Sequence, residues 1–209
     1  MNKDLGFVNA MFSVPIVHYP IENWSENKKK ILDALPPEDE SQLEPNGSGL
    51  YTDFFISSKV QEMPSYFNTV LDVIKPYLKN FMDGNPVEFV EMWYQKYYNQ
   101  VEHKTHCHGF TGWSSIIYVE FDPKVHQSTR FFSPFRQPWD CDVEVFQPKV
   151  KEGDMILFPS SLLHEAPVSR TDTRRTIISY NIRGYVDYVK HTLFSPVGTT
   201  TINNNKHTT

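Results

Sequence analysis

The sequence predicts a mainly β fold with flanking helices, a sandwich or jelly roll, and three observations carry that prediction. Aromatic content is 14%, with 15 Phe and 11 Tyr, and prolines outnumber glycines 15 to 9, which suits short half-buried strands joined by proline-bearing turns. After Gly84 the segments PVEFVEMWYQKYYN, WSSIIYVEF, STRFFSP, CDVEVFQPKV, GDMILFPS, HEAPVS and RRTIISYNIRGYV are each short and rich in β-branched and aromatic residues. Gly, Pro, Asp or Asn separates them, the punctuation of a sandwich or jelly roll. At 209 residues the chain is long enough for one sizeable core and too short to require two. The expected organisation is a single domain over residues 1–197, with helical support at 25–82, a core motif region at 86–189 and an unstructured polar tail at 198–209.

Before Gly84 the elements follow in order. Phe12, Val14 and Ile16 alternate along MFSVPIVHY, a first strand that Pro15 places near an edge. Ser25 reads as the N-cap of a helix over ENKKKILDAL that Pro36-Pro37 stops. The acidic, turn-rich run from Pro36 to Gly49 reads as a long surface loop. From Pro64 the residues Tyr66, Val70, Val73, Ile74, Tyr77, Leu78 and Phe81 recur at helical spacing, with a kink or restart at Pro76.

Composition excludes several function classes. A net charge of -5 gives no general pull toward nucleic-acid phosphates or an anionic bilayer, and Lys28-Lys29-Lys30 reads as a solvated helix face. No stretch has the roughly 20 apolar residues of a membrane helix, and MNKDLGFVNAMFSVP lacks the regions of a signal peptide. Cys107 and Cys141 make no disulfide framework and no CxxC. The expectation is a soluble cytoplasmic protein that acts without membrane or nucleic-acid partners; a homo-oligomer is compatible with it.

The chemistry gathers at His103-Lys104-Thr105-His106-Cys107-His108, three histidines in six residues. Successive side chains of an extended chain point to opposite faces, so His106 and His108 share one and can converge on a cation. His103, an odd number of positions from His106, faces away in a regular strand and ranks as a second-shell or substrate contact. The best third donor is His164, after an apolar strand and a proline-bounded turn. Three protein donors with open positions describe a facial non-haem metal centre. Farther on, RRTIISYN puts Arg175, Ile177, Ser179 and Asn181 on one face and Arg174, Thr176, Ile178 and Tyr180 on the other. One arginine of the pair must point inward, where a guanidinium needs a partner, and a ligand carboxylate suits it.

The order WYQKYYNQVEHKTHCHGFTGWSSIIYVEFDP, STRFFSPF and VKEGDMILFPSSLLHEAPVSRTDTRRTIISYN, from Trp93 to Asn181, resembles the iron(II) and 2-oxoglutarate-dependent oxygenase superfamily, in particular members from phages and marine bacteria. The resemblance implies a double-stranded β-helix, a cupin-like jelly roll, with Fe(II) held by His106, His108 and His164 at its mouth. It implies 2-oxoglutarate as co-substrate, its distal carboxylate held by Arg175, or alternatively Arg174, with Tyr97, Tyr118 and Ser179 as further contacts. His103, Gln95 and Asn181 stand as second-shell or substrate residues. The implied reaction couples O2 and the oxidative decarboxylation of 2-oxoglutarate to succinate with hydroxylation of a small-molecule or peptide substrate.

Two departures from the superfamily pattern stand out. H-x-D or H-x-E is usual where this chain has His106-Cys107-His108, which leaves the iron one charge unit more positive; Glu102 is the nearest acidic substitute. Relatives often carry Arg-x-Ser, and here Ile177 stands two beyond Arg175, with Ser179 next on that face. Two other readings fit the residues: a three-histidine cupin-like dioxygenase that does not use 2-oxoglutarate, and a non-catalytic jelly-roll binding module. The rim of the mouth is expected at Gly47 to Phe55 and at 122–142, with Phe131, Phe135 and Trp139 lining it.

Overall fold

A computed structural model describes residues 14–44, 49–55, 62–109 and 112–184. Ten strands form two antiparallel sheets. In the larger, β1 (Val17–Pro20), β8 (Asp154–Pro159), β5 (Trp113–Glu120), β10 (Arg175–Arg183), β3 (Glu88–Tyr97) and β2 (Tyr51–Thr52) lie side by side in that order. In the smaller the order is β4 (His103–His106), β9 (His164–Ala166), β6 (Arg130–Arg136) and β7 (Val143–Phe146). Helices α1 (Trp24–Ala34) and α2 (Phe67–Phe81) flank the sheets. This is the jelly-roll architecture with flanking helices that the strand pattern predicts.

Strand alternation divides the interior into two cores. Met92 and Tyr94 of β3, Ile117 of β5, Met155 and Leu157 of β8, and Ile178, Tyr180 and Ile182 of β10 pack with Val70, Ile74, Leu78 and Phe81 of α2. The opposite faces of the same strands supply Tyr97, Ile116, Tyr118, Ile156, Phe158 and Ile177 to a second core that includes Phe131 of the smaller sheet. Each such side chain, fully buried, contributes about 1.5–3 kcal/mol. One row of the large sheet therefore serves the helices and the other serves the space between the sheets.

Several local expectations need correction. The N-cap of α1 is Asn23, in the left-handed region at φ 51°, so Ser25 lies within the first turn. Pro76 sits inside an unbroken α2; its missing N–H costs one bond of the ladder, and the apolar face buried on the sheet outweighs that loss. The first strand covers Val17–Pro20, with Val14 exposed and Phe12 outside the described residues. It is an edge strand as Pro15 implied. The acidic loop contains a 3-10 turn, Glu40–Gln42, closed by a capping box on Asp39. Residues 47–48 of the expected rim and the 198–209 tail lie outside the described residues. No helix among the described residues is long and apolar enough to cross a membrane.

Candidate metal centre

Strands β3 and β10 run antiparallel with Arg175 opposite Tyr97, Ile177 opposite Gln95, Ser179 opposite Trp93 and Asn181 opposite Glu91. These rungs face the space between the sheets and descend, about 6.6 Å apart, from the mouth at Asn181 to the deep end at Arg175. The histidines approach this ladder from the smaller sheet. Strand β4 pairs with β9 through His103 opposite Ala166 and His106 opposite His164, three steps on one strand against two on the other. That bulge cancels the parity argument for His103: its ring stacks on His106 at 4.0 Å between centroids instead of facing away. After β4 the chain turns, and the His108 N–H donates to Ser160 O at 2.8 Å, which returns the His108 ring to the same space.

His106, His108 and His164 each offer one ring nitrogen, and these atoms lie within 4.8 Å of one another, a spread that side-chain rotations close onto one ion. The Nδ1 of His106 lies 2.7 Å from Lys104 O and that of His164 lies 2.8 Å from Leu162 O. A carbonyl only accepts, so both Nδ1 atoms carry protons and both Nε2 atoms keep free lone pairs, the tautomer a metal needs. His108 is held differently: its Nδ1 lies 3.2 Å from Asn181 Nδ2, and its ring stacks on Trp93 with centroids 5.2 Å apart. Burial holds the imidazoles of His103, His108 and His164 down to about 3, the neighbouring histidines adding to it. Burial also lowers His106, opposed by the Lys104 carbonyl and the charge of Glu44. All four are neutral near pH 7, as nitrogen donors must be.

At the deep end Arg175 is 2% exposed, and its Nε and Nη2 are buried without a hydrogen-bond partner. Its guanidinium lies 4.8 Å from the Tyr97 ring and 5.8 Å from the Tyr118 ring. Arg174, the alternate anchor, is corrected by strand alternation. It lies on the outer face, where Nε and Nη2 donate to Glu120 at 2.7 and 2.8 Å. The Tyr118 hydroxyl is likewise engaged, donating to Thr129 Oγ1 at 3.0 Å and accepting from Thr129 N at 3.1 Å. It has no proton left for a ligand carboxylate. Ser179 lines the space beside the histidines with Tyr97, Gln95 and Ile177, and Gln95 Nε2 lies 3.0 Å from His103 Nδ1.

The 122–142 part of the rim expectation changes most. Phe131 is 2% exposed and packs on Phe158 inside the sandwich, while Phe135 and Trp139, 52% and 76% exposed, line no part of the histidine cavities. Glu102, just before β4, is exposed and is not among the clustered donors. The Gly47 to Phe55 part of the expectation holds: among the described residues, Leu50, Thr52, Phe54 and Phe55 build the mouth with Glu44, Glu91 and Trp93, around a cavity of about 330 Å³ that reaches His103, His106, Cys107 and His108. Asp53 anchors one side of it, accepting from Tyr66 Oη at 2.7 Å and Tyr94 N at 2.9 Å. Sequence reasoning missed Glu91 and Trp93, although both share the parity of Gln95 and Tyr97.

Residues 91–181 match the family model described as "Putative 2OG-Fe(II) oxygenase". Over that stretch the chain is similar to 2OG-Fe(II) oxygenases. Iron(II) and 2-oxoglutarate are the cofactor and co-substrate of such an oxygenase, and the residues fit both, with clustered neutral imidazoles for the metal and a buried guanidinium with unpaired N–H groups for a carboxylate. The chain also shares its fold with solved structures of low sequence identity. The epimerase SnoN, in complex with Fe3+, alpha ketoglutarate and nogalamycin RO, superimposes with a TM-score of 0.57 at 12% identity, covering 81% of this chain and 78% of that one. The viral collagen prolyl hydroxylase of Paramecium Bursaria Chlorella virus-1, solved as a 2OG complex, gives 0.52 at 14%, covering 81% and 96%. HygX from Streptomyces hygroscopicus, with nickel and 2-oxoglutarate bound, gives 0.53 at 12%, covering 82% and 83%. No curated protein sequence matches at a significant level.

Proposed function

We propose that the oxygenase hydroxylates a C–H bond of a small substrate, with His106, His108 and His164 holding Fe(II) and Arg175 holding the distal carboxylate of 2-oxoglutarate. One observation carries this reading: an interior arginine with two unpaired N–H groups lies on the strand face that also borders the three clustered histidines. A buried guanidinium with unsatisfied N–H groups is costly, and a carboxylate satisfies them with a planar pair of hydrogen bonds.

When bound, the iron and 2-oxoglutarate supply the oxidising power, with O2 consumed and 2-oxoglutarate decarboxylated to succinate. The chain's own residues position these groups. Lys104 O and Leu162 O fix the tautomers of His106 and His164, and Tyr97 supports the Arg175 guanidinium from one face. Ile177, Phe158 and Ile116, all buried, keep water from the space between the histidines and the arginine. A cytoplasmic location is part of the proposal; the two free exposed cysteines suit a reducing compartment.

The test is anaerobic addition of Fe(II) and 2-oxoglutarate. A visible charge-transfer band is expected, and its absence with iron bound would overturn the chelation. A second reading, a three-histidine iron dioxygenase without 2-oxoglutarate, draws on His108 standing where a carboxylate is usual. Under that reading Arg175→Met leaves oxygen consumption intact.

A further inference from the structure

The 330 Å³ cavity at the mouth is at the lower end of the size range of small-molecule sites, about 300–1,000 Å³. Among its described lining residues are two carboxylates, Glu44 and Glu91, and no lysine or arginine. Three aromatic rings stand beside them. Phe54 meets Trp93 edge-on with centroids 5.2 Å apart, and Phe55 meets Phe54 at 5.3 Å. Glu91 is held in place, because its Oε1 accepts from Asn181 Nδ2.

The charge at the metal end sharpens what these residues can select. Imidazole ligands are neutral, so ferrous iron, 2-oxoglutarate and Arg175 sum to one positive charge, and Arg175 carries its part at the deep end, away from the mouth. A carboxylate ligand would bring that sum to zero; in either case the carboxylates nearest the mouth are Glu44 and Glu91. An anionic substrate meets these two and, among the described lining residues, no lysine or arginine. A cation gains charge-assisted hydrogen bonds and the faces of the aromatic rings.

Resting on the oxygenase reading above, we propose that the substrate is a small molecule carrying a protonated amine on an apolar body. The amine lies against Glu91 and Glu44, and the body packs on Trp93, Phe54 and Leu50.

The experiment uses iron-loaded protein with 2-oxoglutarate, kept anaerobic, and three probes of one skeleton: 2-phenylethylamine, 2-phenylethanol and 3-phenylpropanoate. Binding is read by saturation-transfer NMR. The amine is expected to bind about tenfold more tightly than either of the others. Glu91→Gln, and more so Glu44→Gln with Glu91→Gln, is expected to remove that preference while leaving the alcohol unchanged. Equal or reversed order, no amine binding at about 10 mM, or a preference that survives the double variant overturns the proposal. The charge-transfer band is recorded on the same samples: amine preference without the band overturns the 2-oxoglutarate reading alone, and the band without amine preference overturns this inference alone.

Discussion

Asn181 Nδ2 lies 3.2 Å from Nδ1 of His108 and also donates to Glu91, while Asn181 Oδ1 accepts from Ser114 Oγ at 2.6 Å. His108 thus meets an amide donor at Nδ1, which holds its own proton on Nε2, where His106 and His164 meet backbone carbonyls two residues earlier and keep Nε2 free. Outer-shell partners that fix the ligating tautomer are worth about ten- to a hundredfold in metal affinity, and Asn181 favours the opposite one. Asn181→Leu, close in volume, is expected to leave Fe(II) affinity unchanged or raised in an anaerobic titration, and a loss of about tenfold would mean that Asn181 supports the metal. Ser114 keeps its bond to Ser160, so far-UV circular dichroism is expected to stay unchanged.

The two arginines should separate cleanly. Arg175→Met is expected to abolish the charge-transfer band while leaving iron binding intact, and to leave stability unchanged or raised in the absence of 2-oxoglutarate, because it removes a buried cation with two N–H groups that lack hydrogen bonds. Arg174→Met breaks a half-exposed pair with Glu120, costs about 1 kcal/mol or less in thermal unfolding, and leaves the band in place.

His103→Ala tests the bulge. The ring stacks on His106 but is not in the donor cluster, so iron affinity is expected to stay within about threefold, whereas His106→Ala should lower it by at least about a hundredfold. Equal losses from both substitutions would make His103 a ligand.

What the sequence made legible follows from where its periodicity was undisturbed. Strand β10 pairs with β3 without interruption between Arg175 and Asn181, so simple alternation assigned both its faces and set Arg175 apart from Arg174. In β4 the same rule misplaced His103, because the extra residue opposite β9 depends on a partner strand about 60 positions away. The aromatics of 131–139 looked like a rim because composition says nothing about which sheet face Phe131 occupies. The mouth residues Glu44 and Glu91 carry no local motif. They become neighbours of the site only when Tyr51 and Thr52 pair with β3.

Acid should weaken the protein free of metal. The imidazoles of His103, His108 and His164 sit near 3 when folded, against an ordinary value of 6.5. Between those values the unfolded chain binds more protons than the folded one, so stability is complete above about pH 6.5 and falls as pH drops toward 3. A calorimetric melting series over that range is expected to show a steady decline that saturating Zn(II) offsets at its upper end. A flat profile would mean that the histidines titrate normally.

The ladder from Arg175 to Asn181 shares its two strands with the helix-facing core, residue by residue. A single insertion within β3 would exchange the two rows, turning Tyr94 into the cavity and Tyr97 out of it. Chemistry and folding are therefore locked to the same register, and neither can drift alone. The segment around Leu50 to Phe55 touches only the outermost part of that arrangement. Change of diet, for this enzyme, has one inexpensive place to happen, and libraries meant to redirect it belong there rather than along the strands.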